Sequence, residues 1–261
     1  MLMSTVSGNA AVPSLPALWH DPAPAHFDVR IPWWFKVLVV VIATWAAGKF
    51  VDQPLALWAR AHAERIPDLM RVPAGGGTYG DKGREVMFLE QFGQFACSVV
   101  VILAVAMIDP AGRRRALALA IGCLLTLGVT HLLKDVIGRT RPFNKDLADW
   151  ATGVWAWGGP AKGFYKGTSW GSFPSAHTTG AFALASGLAW FYPRGRALFM
   201  ALALTTASLR VLHTAHWLSD VIAGMGIGVF LTRLTLGWKV AGRMIALLPR
   251  GVQGFWFPDI R

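Results

Sequence analysis

The sequence predicts an all-α integral membrane bundle of six transmembrane helices with both termini on the cytoplasmic side, and three observations carry that expectation. Hydrophobic residues make up 54% of the 261 positions against 15% charged, and the mean hydropathy of +0.44 exceeds that of an ordinary soluble domain. Six apolar runs have lengths that bracket the roughly 17 to 25 residues a spanning helix needs. Stretches such as VVVILAVAMI and ALALAIGCLL have no polar face at the 3.6-residue period, as a surface helix of a soluble bundle would.

The chain opens with a tail, residues 1–32, rich in Ala and Pro. Pro13, Pro16, Pro22 and Pro24 stand too close together for a helix to run through them. The tail lacks the basic start, apolar core and small-residue cleavage site of a secretory signal, so the first apolar segment is expected to remain as an anchor. The membrane domain occupies residues 33–240. Its six runs are Trp33 to Val51, Phe88 to Ile108, Ala116 to Ile137, Ala176 to Tyr192, Arg196 to His213 and Leu218 to Trp238. Between the first two, QPLALWARAHAERIPDLMR has an apolar side and a charged side and is expected to lie along the membrane surface. The connection from Gly138 to Pro174 carries Trp150, Trp155, Trp157, Phe164, Tyr165 and Trp170; such a loop belongs at the headgroup level, either lining a substrate vestibule or only anchoring itself there. A basic tail, residues 241–261, closes the chain.

The formal charge of +11 is distributed as the positive-inside rule expects, so no nucleic-acid partner is called for. Arg113, Arg114 and Arg115 separate the second and third runs, Arg194 and Arg196 the fourth and fifth, and Arg233, Lys239, Arg243 and Arg250 lie at and after the end of the sixth. These positions should be cytoplasmic, although Arg60, Arg65, Arg71, Lys82 and Arg84 in the first external connection run against the rule. Abundant Ala, Gly and Arg fit a bacterial protein, which makes the membrane the inner one and the external face periplasmic. Cys97 and Cys123 each lie inside an apolar run without a Cys or His at ligand spacing, so neither a disulfide framework nor a metal site is expected.

Ionisable residues in or at the ends of spanning segments are costly and therefore the first candidates for function. Three clusters qualify: KDVIGRTRP (Lys134 to Pro142), FPSAH (Phe173 to His177) and SLRVLHTAHWLSD (Ser208 to Asp220). The ends of the third and fifth segments and the starts of the fourth and sixth must lie on one side of the membrane, so all three clusters share the external face. His216 and Asp220 are four apart, neighbours on a helical face, where a carboxylate can keep one imidazole nitrogen protonated and leave the other as nucleophile or base. Lys134, Arg141 and Arg210 are converging cations suited to a phosphate, and the segment ahead of the fourth helix offers free backbone N–H groups.

The three clusters resemble the signature of the type 2 phosphatidic acid phosphatase family, whose superfamily includes the vanadium haloperoxidases. Lys134 and Arg141-Pro142 match its first part; Pro174, Ser175 and His177 match the second, with Ala176 in a glycine place; Arg210, His216 and Asp220 match the third. Leu209 separates Ser208 from Arg210, so the serine the family carries before that arginine is unmatched. The resemblance implies metal-independent, cofactor-free hydrolysis of a membrane lipid phosphomonoester or diphosphate at the external leaflet. His216 would be the nucleophile, Asp220 its orienting partner and His177 the acid and base. Lys134, Arg141, Ser175 and Arg210 would bind phosphate. A phosphotransferase acting from a polyprenyl diphosphate is the close variant; a vanadium-dependent haloperoxidase and a non-catalytic lipid-binding or transport protein are the more distant ones. Ala176, His131 and His213 are candidates for supporting positions. Asp135 and Arg139 are expected to pair with each other or with headgroups, and Glu90, Gln91 and Gln94 interrupt the second run without a readable role.

Overall fold

The computed structural model describes residues 31–62, 88–109, 111–142, 170–237, 240–247 and 249. Helix α1, Trp33–Ala46, runs through a π-helical turn, Ala47–Val51, into α2, Asp52–His62. A 3-10 turn, Gln91–Gly93, leads to α3, Phe95–Ile108, and then to α4, Gly112–Ile137. After these come α5, Ala176–Phe191; a 3-10 turn, Pro193–Gly195; α6, Arg196–Leu212; α7, Leu218–Gly237; and α8, Val240–Ala246. Among the described residues there is no strand, only an isolated parallel bridge between Arg139 and Gly171.

Helices fall on all six apolar runs, and the chain is a multi-pass membrane protein. Among the described residues four segments are long and apolar enough to cross a bilayer: Trp33–His62, Gly112–Ile137, Pro193–Leu212 and Leu218–Gly237. Helix α3, with 14 residues, and α5, with 16, are shorter. The first helix does not stop at Val51 as expected. It continues through QPLALWARAH to His62, so the first half of the amphipathic piece extends the anchor; the rest, with the aromatic residues from Trp150 to Tyr165 and both tails up to residue 30 and beyond 250, lies outside the described residues.

The bundle is built inside-out relative to a soluble one. Lipid-facing positions such as Trp45, Val100, Leu103, Met107 and Leu132 are large and exposed, whereas α5 at the centre is buried along nearly its whole length on Ala181, Ala183, Leu184 and Ala185. Small residues there let α5 approach α6, α7 and α4 closely, the packing that holds helices together in lipid. Helix α4 buries one stripe, Ala116, Leu119, Gly122, Thr126, Thr130 and Lys134, spaced three or four apart. Its threonines satisfy themselves on the preceding turn, Thr126 on the Gly122 carbonyl (2.6 Å) and Thr130 on that of Thr126 (2.7 Å). The stripe therefore delivers Lys134 to the bundle interior at the end of a helix long enough to span.

At the opposite face the two short connections are tied together. Asp109 accepts hydrogen bonds from the Ala111 amide (2.7 Å), Arg115 (2.6 Å) and the Tyr192 hydroxyl (2.5 Å). Burial pushes the Asp109 carboxyl up, but these three donors and the Arg115 charge outweigh it and hold the group below its ordinary value.

Candidate active site

The three clusters meet at one end of the bundle because the backbone binds them to one another. Helix α4 ends where Gly138 adopts a φ of 57°, a left-handed turn that glycine takes without strain. Beyond it, the Arg139 amide donates to the Trp170 carbonyl (2.7 Å) and the Ser172 amide to the Arg139 carbonyl (2.9 Å), pinning the first cluster beside the second. Ser175, at the N-cap of α5, donates its amide to the Asp220 carbonyl (3.1 Å), joining the second cluster to the third. Between α6 and α7, Thr214 takes a φ of 51° and the His216 amide returns to the Arg210 carbonyl (3.2 Å).

His216 is buried, with its Nδ1 at 2.8 Å from the Ser172 carbonyl oxygen and 3.6 Å from Asp220 Oδ2. A carbonyl only accepts, so Nδ1 carries the proton and Nε2 keeps its lone pair. The hydrogen bond that fixes this tautomer thus goes to a backbone carbonyl rather than to the expected carboxylate, which stands just beyond it as a compensating charge. Asp220 is itself immobilised: Oδ2 accepts from the Ser172 hydroxyl (2.5 Å) and the Trp217 amide (3.0 Å), and Oδ1 from Arg139 (2.5 Å). Burial lowers the His216 imidazole to about 3; Asp220 opposes the shift, while the charges of Lys134 and Arg210 add to it. The ring is neutral throughout the working range of pH.

Three cations lie at the same end of the bundle, and the charges of Lys134 and Arg210 act on this imidazole. Lys134 Nζ donates to the Gly171 carbonyl, Arg141 to the Ala215 carbonyl (3.3 Å), and Arg210 to Glu90 (3.1 Å). Burial and then the Arg210 charge lower the Arg141 guanidinium, against the pull of Asp220. His177, half-buried in the first turn of α5, feels the charges of Arg210, Glu90, Arg141 and Lys134. Ser175 is fully buried and its hydroxyl accepts from Thr178 (3.0 Å).

Sequence reasoning undervalues three residues. Arg139 is 1% exposed and bridges Asp220 and Asp52 (2.8 Å), with its guanidinium over the Trp217 ring. Asp52 also accepts from the Ser219 amide (3.0 Å) and hydroxyl (2.5 Å). Glu90 is buried between Arg210 and His213, whose Nδ1 lies 2.9 Å from its Oε1. The only signal that could have found them is burial cost, since each is an ionisable residue at the edge of an apolar run. His213 is thus linked to Arg210 through Glu90. His131 is exposed, one residue and about 100° around α4 from Thr130 on the buried stripe. Ala176 is half-buried next to His177, and Ser208 is exposed, consistent with the unmatched family serine. Among the described residues no group of three or more His, Cys, Asp or Glu is arranged to hold a metal.

A cavity of about 340 Å³ opens between α3 and α4 and reaches His177, lined by Ser98, Ile102, Leu103, Leu124 and Leu127. Apart from Gln94, Ser98 and His177 its lining is largely apolar, a chemistry that suits a lipid chain beside a polar group.

Residues 115–243 match the model of the PAP2 superfamily. A lipid A 1-phosphatase of Rhizobium johnstonii is 35% identical over 124 residues, 47% of this chain and 48% of the relative. A lipid A 1-phosphatase of Rhizobium etli is 35% identical over 135 residues, 51% of this chain and 55% of the relative. The matched region spans about half the length of these curated relatives. A transmembrane PAP2-type phosphatidylglycerolphosphate phosphatase of Bacillus subtilis, solved by crystallography, aligns over 79% of this chain and 95% of its own with 17% identity and a TM-score of 0.48.

Proposed function

Because the chain belongs to the PAP2 superfamily over residues 115–243, we propose that it is a membrane lipid phosphatase that hydrolyses a lipid phosphate through a phosphohistidine on His216. One observation carries the reading. A buried neutral imidazole has its Nδ1 proton committed to the Ser172 carbonyl, leaving Nε2 as a nucleophile among Lys134, Arg141 and Arg210.

In the first step Nε2 of His216 attacks phosphorus, the bond from phosphorus to the lipid oxygen breaks, and His177 supplies the proton that leaves with the lipid alcohol. In the second, His177 takes a proton from water, the resulting hydroxide attacks the phosphohistidine, and phosphate departs with Nε2 restored. Lys134, Arg141 and Arg210, with the Ser175 hydroxyl and the N–H groups at the start of α5, stabilise charge on the equatorial oxygens. Asp220 offsets the positive charge that the ring acquires when it is phosphorylated. In-line displacement requires the leaving oxygen opposite His216, on the His177 side. The apolar cavity that reaches His177 is therefore the seat of the lipid.

The two relatives at 35% identity favour phosphorylated lipid A as the first substrate to test. Phosphatidic acid, phosphatidylglycerophosphate and undecaprenyl diphosphate present the same reacting group. The proposed topology has six spans, both termini cytoplasmic and residues 33–240 as the phosphatase domain, with the site at the periplasmic face of the inner membrane. It is supported by the apolar helices and by Arg113, Arg114, Arg115, Arg194 and Arg196 at the face opposite the site.

The test is phosphate release by the purified protein, in detergent with EDTA, across these four lipids, comparing wild type with His177→Ala and His216→Ala. Release from one lipid that both substitutions abolish supports the reading. An active His216→Ala protein would overturn the phosphohistidine, and no release from any lipid by folded wild type would overturn the phosphatase.

A further inference from the structure

Asp52 lies outside the family-matched region, on the first membrane helix, and no step of the proposed reaction uses it. Its surroundings are nonetheless built for it. Helix α1 buries none of its residues, yet after the π-helical turn Ala47–Val51 the chain presents Asp52 to the interior at 1% exposure. A π turn inserts a residue and rotates the helix beyond it, and such turns recur at functional sites. A buried carboxylate at the end of an apolar helix is costly unless its oxygens are paired. Here one oxygen accepts from the Ser219 amide and the other from the Ser219 hydroxyl and Arg139 Nη2.

Arg139 in turn uses Nη1 on Asp220 Oδ1 (2.5 Å) and Ser219 Oγ (2.7 Å). Hydrogen bonds therefore link Asp52 through Arg139 to Asp220, whose carboxylate stands 3.6 Å from the His216 ring. Resting on the phosphatase reading, we infer that Asp52 is a positioning residue for the nucleophile, holding Arg139 so that Asp220 keeps both its place and its charge for His216. Asp52 does not touch substrate.

The electrostatic consequence arises in the attack itself. The His216 ring gains positive charge as it takes the phosphoryl group, and Asp220 offsets it. Arg139 competes for Asp220, and Asp52 balances that competition by taking half of the guanidinium. Neutralise Asp52, and Arg139 draws fully on Asp220 while losing one of its two anchors. The transition state is penalised, but ground-state phosphate binding rests on Lys134, Arg141 and Arg210 and is spared.

The experiment measures kcat and KM for phosphorylated lipid A, and inhibition by inorganic phosphate, for the purified full chain and for Asp52→Asn, Asp52→Glu, Arg139→Gln and the double variant Asp52→Asn/Arg139→Gln. With rates normalised to folded protein, Asp52→Asn is expected to lower kcat about 10- to 100-fold, the scale of one lost charge-assisted hydrogen bond, while KM and the phosphate inhibition constant change less than about 2-fold. Asp52→Glu should recover part of the loss, and the double variant should be no slower than Arg139→Gln alone. Full kcat in Asp52→Asn, or costs that simply add in the double variant, overturns the inference and leaves the phosphatase intact. A wild type that releases no phosphate overturns both. If Asp52→Asn does not fold, Asp52→Glu carries the test, since it keeps the charge but displaces the carboxylate and should lower kcat without moving KM.

Discussion

Replacing His216 with Asn should change how stability depends on pH, and the structure sets the size of the change. Burial holds the native imidazole at about 3, against about 6.5 in the unfolded chain. A depressed histidine contributes nothing to the pH dependence above about 6.5, where neither state is protonated. Below that value the unfolded chain takes up a proton that the folded site refuses, so stability falls by about 1.4 kcal/mol per pH unit until the native value is reached. From pH 7 to pH 5 the loss is about 2 kcal/mol, and any native value well below 5 gives the same figure. Asn can still donate to the Ser172 carbonyl but does not titrate. Denaturant unfolding of both proteins in detergent at pH 7 and pH 5 reads the difference: wild type should lose about 2 kcal/mol more than His216→Asn. Equal losses would refute the buried neutral imidazole, and with it the argument that the ring is ready to attack at every working pH.

Glu90→Gln removes the carboxylate that steadies Arg210 and His213; kcat/KM should fall about 10-fold, chiefly through KM, as expected for one displaced charge-assisted contact, measured by steady-state phosphate release. Gly93→Ala would drive a Cβ into the His177 carbonyl oxygen, shifting the start of α5; it should cost about 1–3 kcal/mol of stability and lower kcat per folded molecule, checked by thermal unfolding beside the rate assay. Asp109→Asn breaks the cluster with Arg115 and Tyr192 at the far face and should lower the melting temperature while leaving kcat unchanged. The Asp109 carboxyl is held below its ordinary value, so its contribution to stability is present above about pH 4 and fades as pH falls; the melting temperatures of wild type and Asp109→Asn should converge under acid.

The helices were legible because apolar length is a strong signal in lipid, and the three clusters because charge there is expensive. The boundaries were not equally legible. Phe88 to Ile108 reads as one run, yet Gln91–Gly93 forms a 3-10 turn and Gln94 is extended before α3 begins. That break serves the close approach of Gly93 to the His177 carbonyl, a contact between segments that periodicity does not encode. The two arginines of GRTRP pose the same difficulty in another form. Spacing favours Arg141, seven residues from Lys134, as the phosphate ligand and gives Arg139 no role. Arg139 is distinguished by Asp52, 87 positions earlier, and a pairing at that separation leaves no local trace. His131 misleads for the opposite reason: it is one turn from Lys134 in sequence, yet it falls just off the buried stripe and is exposed.

The carboxylates explain how so many cations can be assembled in a low-dielectric setting. Lys134, Arg139, Arg141 and Arg210 supply four positive charges, and burying them unpaired would cost several kcal/mol each. Asp220, Asp52 and Glu90 supply three negative ones, so with His216 neutral these groups carry a net charge near +1 before ligand binds. A phosphate monoester of charge about −1 to −2 then brings the site close to neutrality, whereas a lipid without phosphate gains nothing from entering. Two of the three carboxylates come from the helical segments that precede the family-matched region 115–243. The helical segments ahead of residue 115 are thus more than an anchor: their carboxylates balance the charge of the cations in the proposed phosphate seat. Removing Asp52 and Glu90 together would leave the set near +3, and that double variant should fail to fold where each single variant survives.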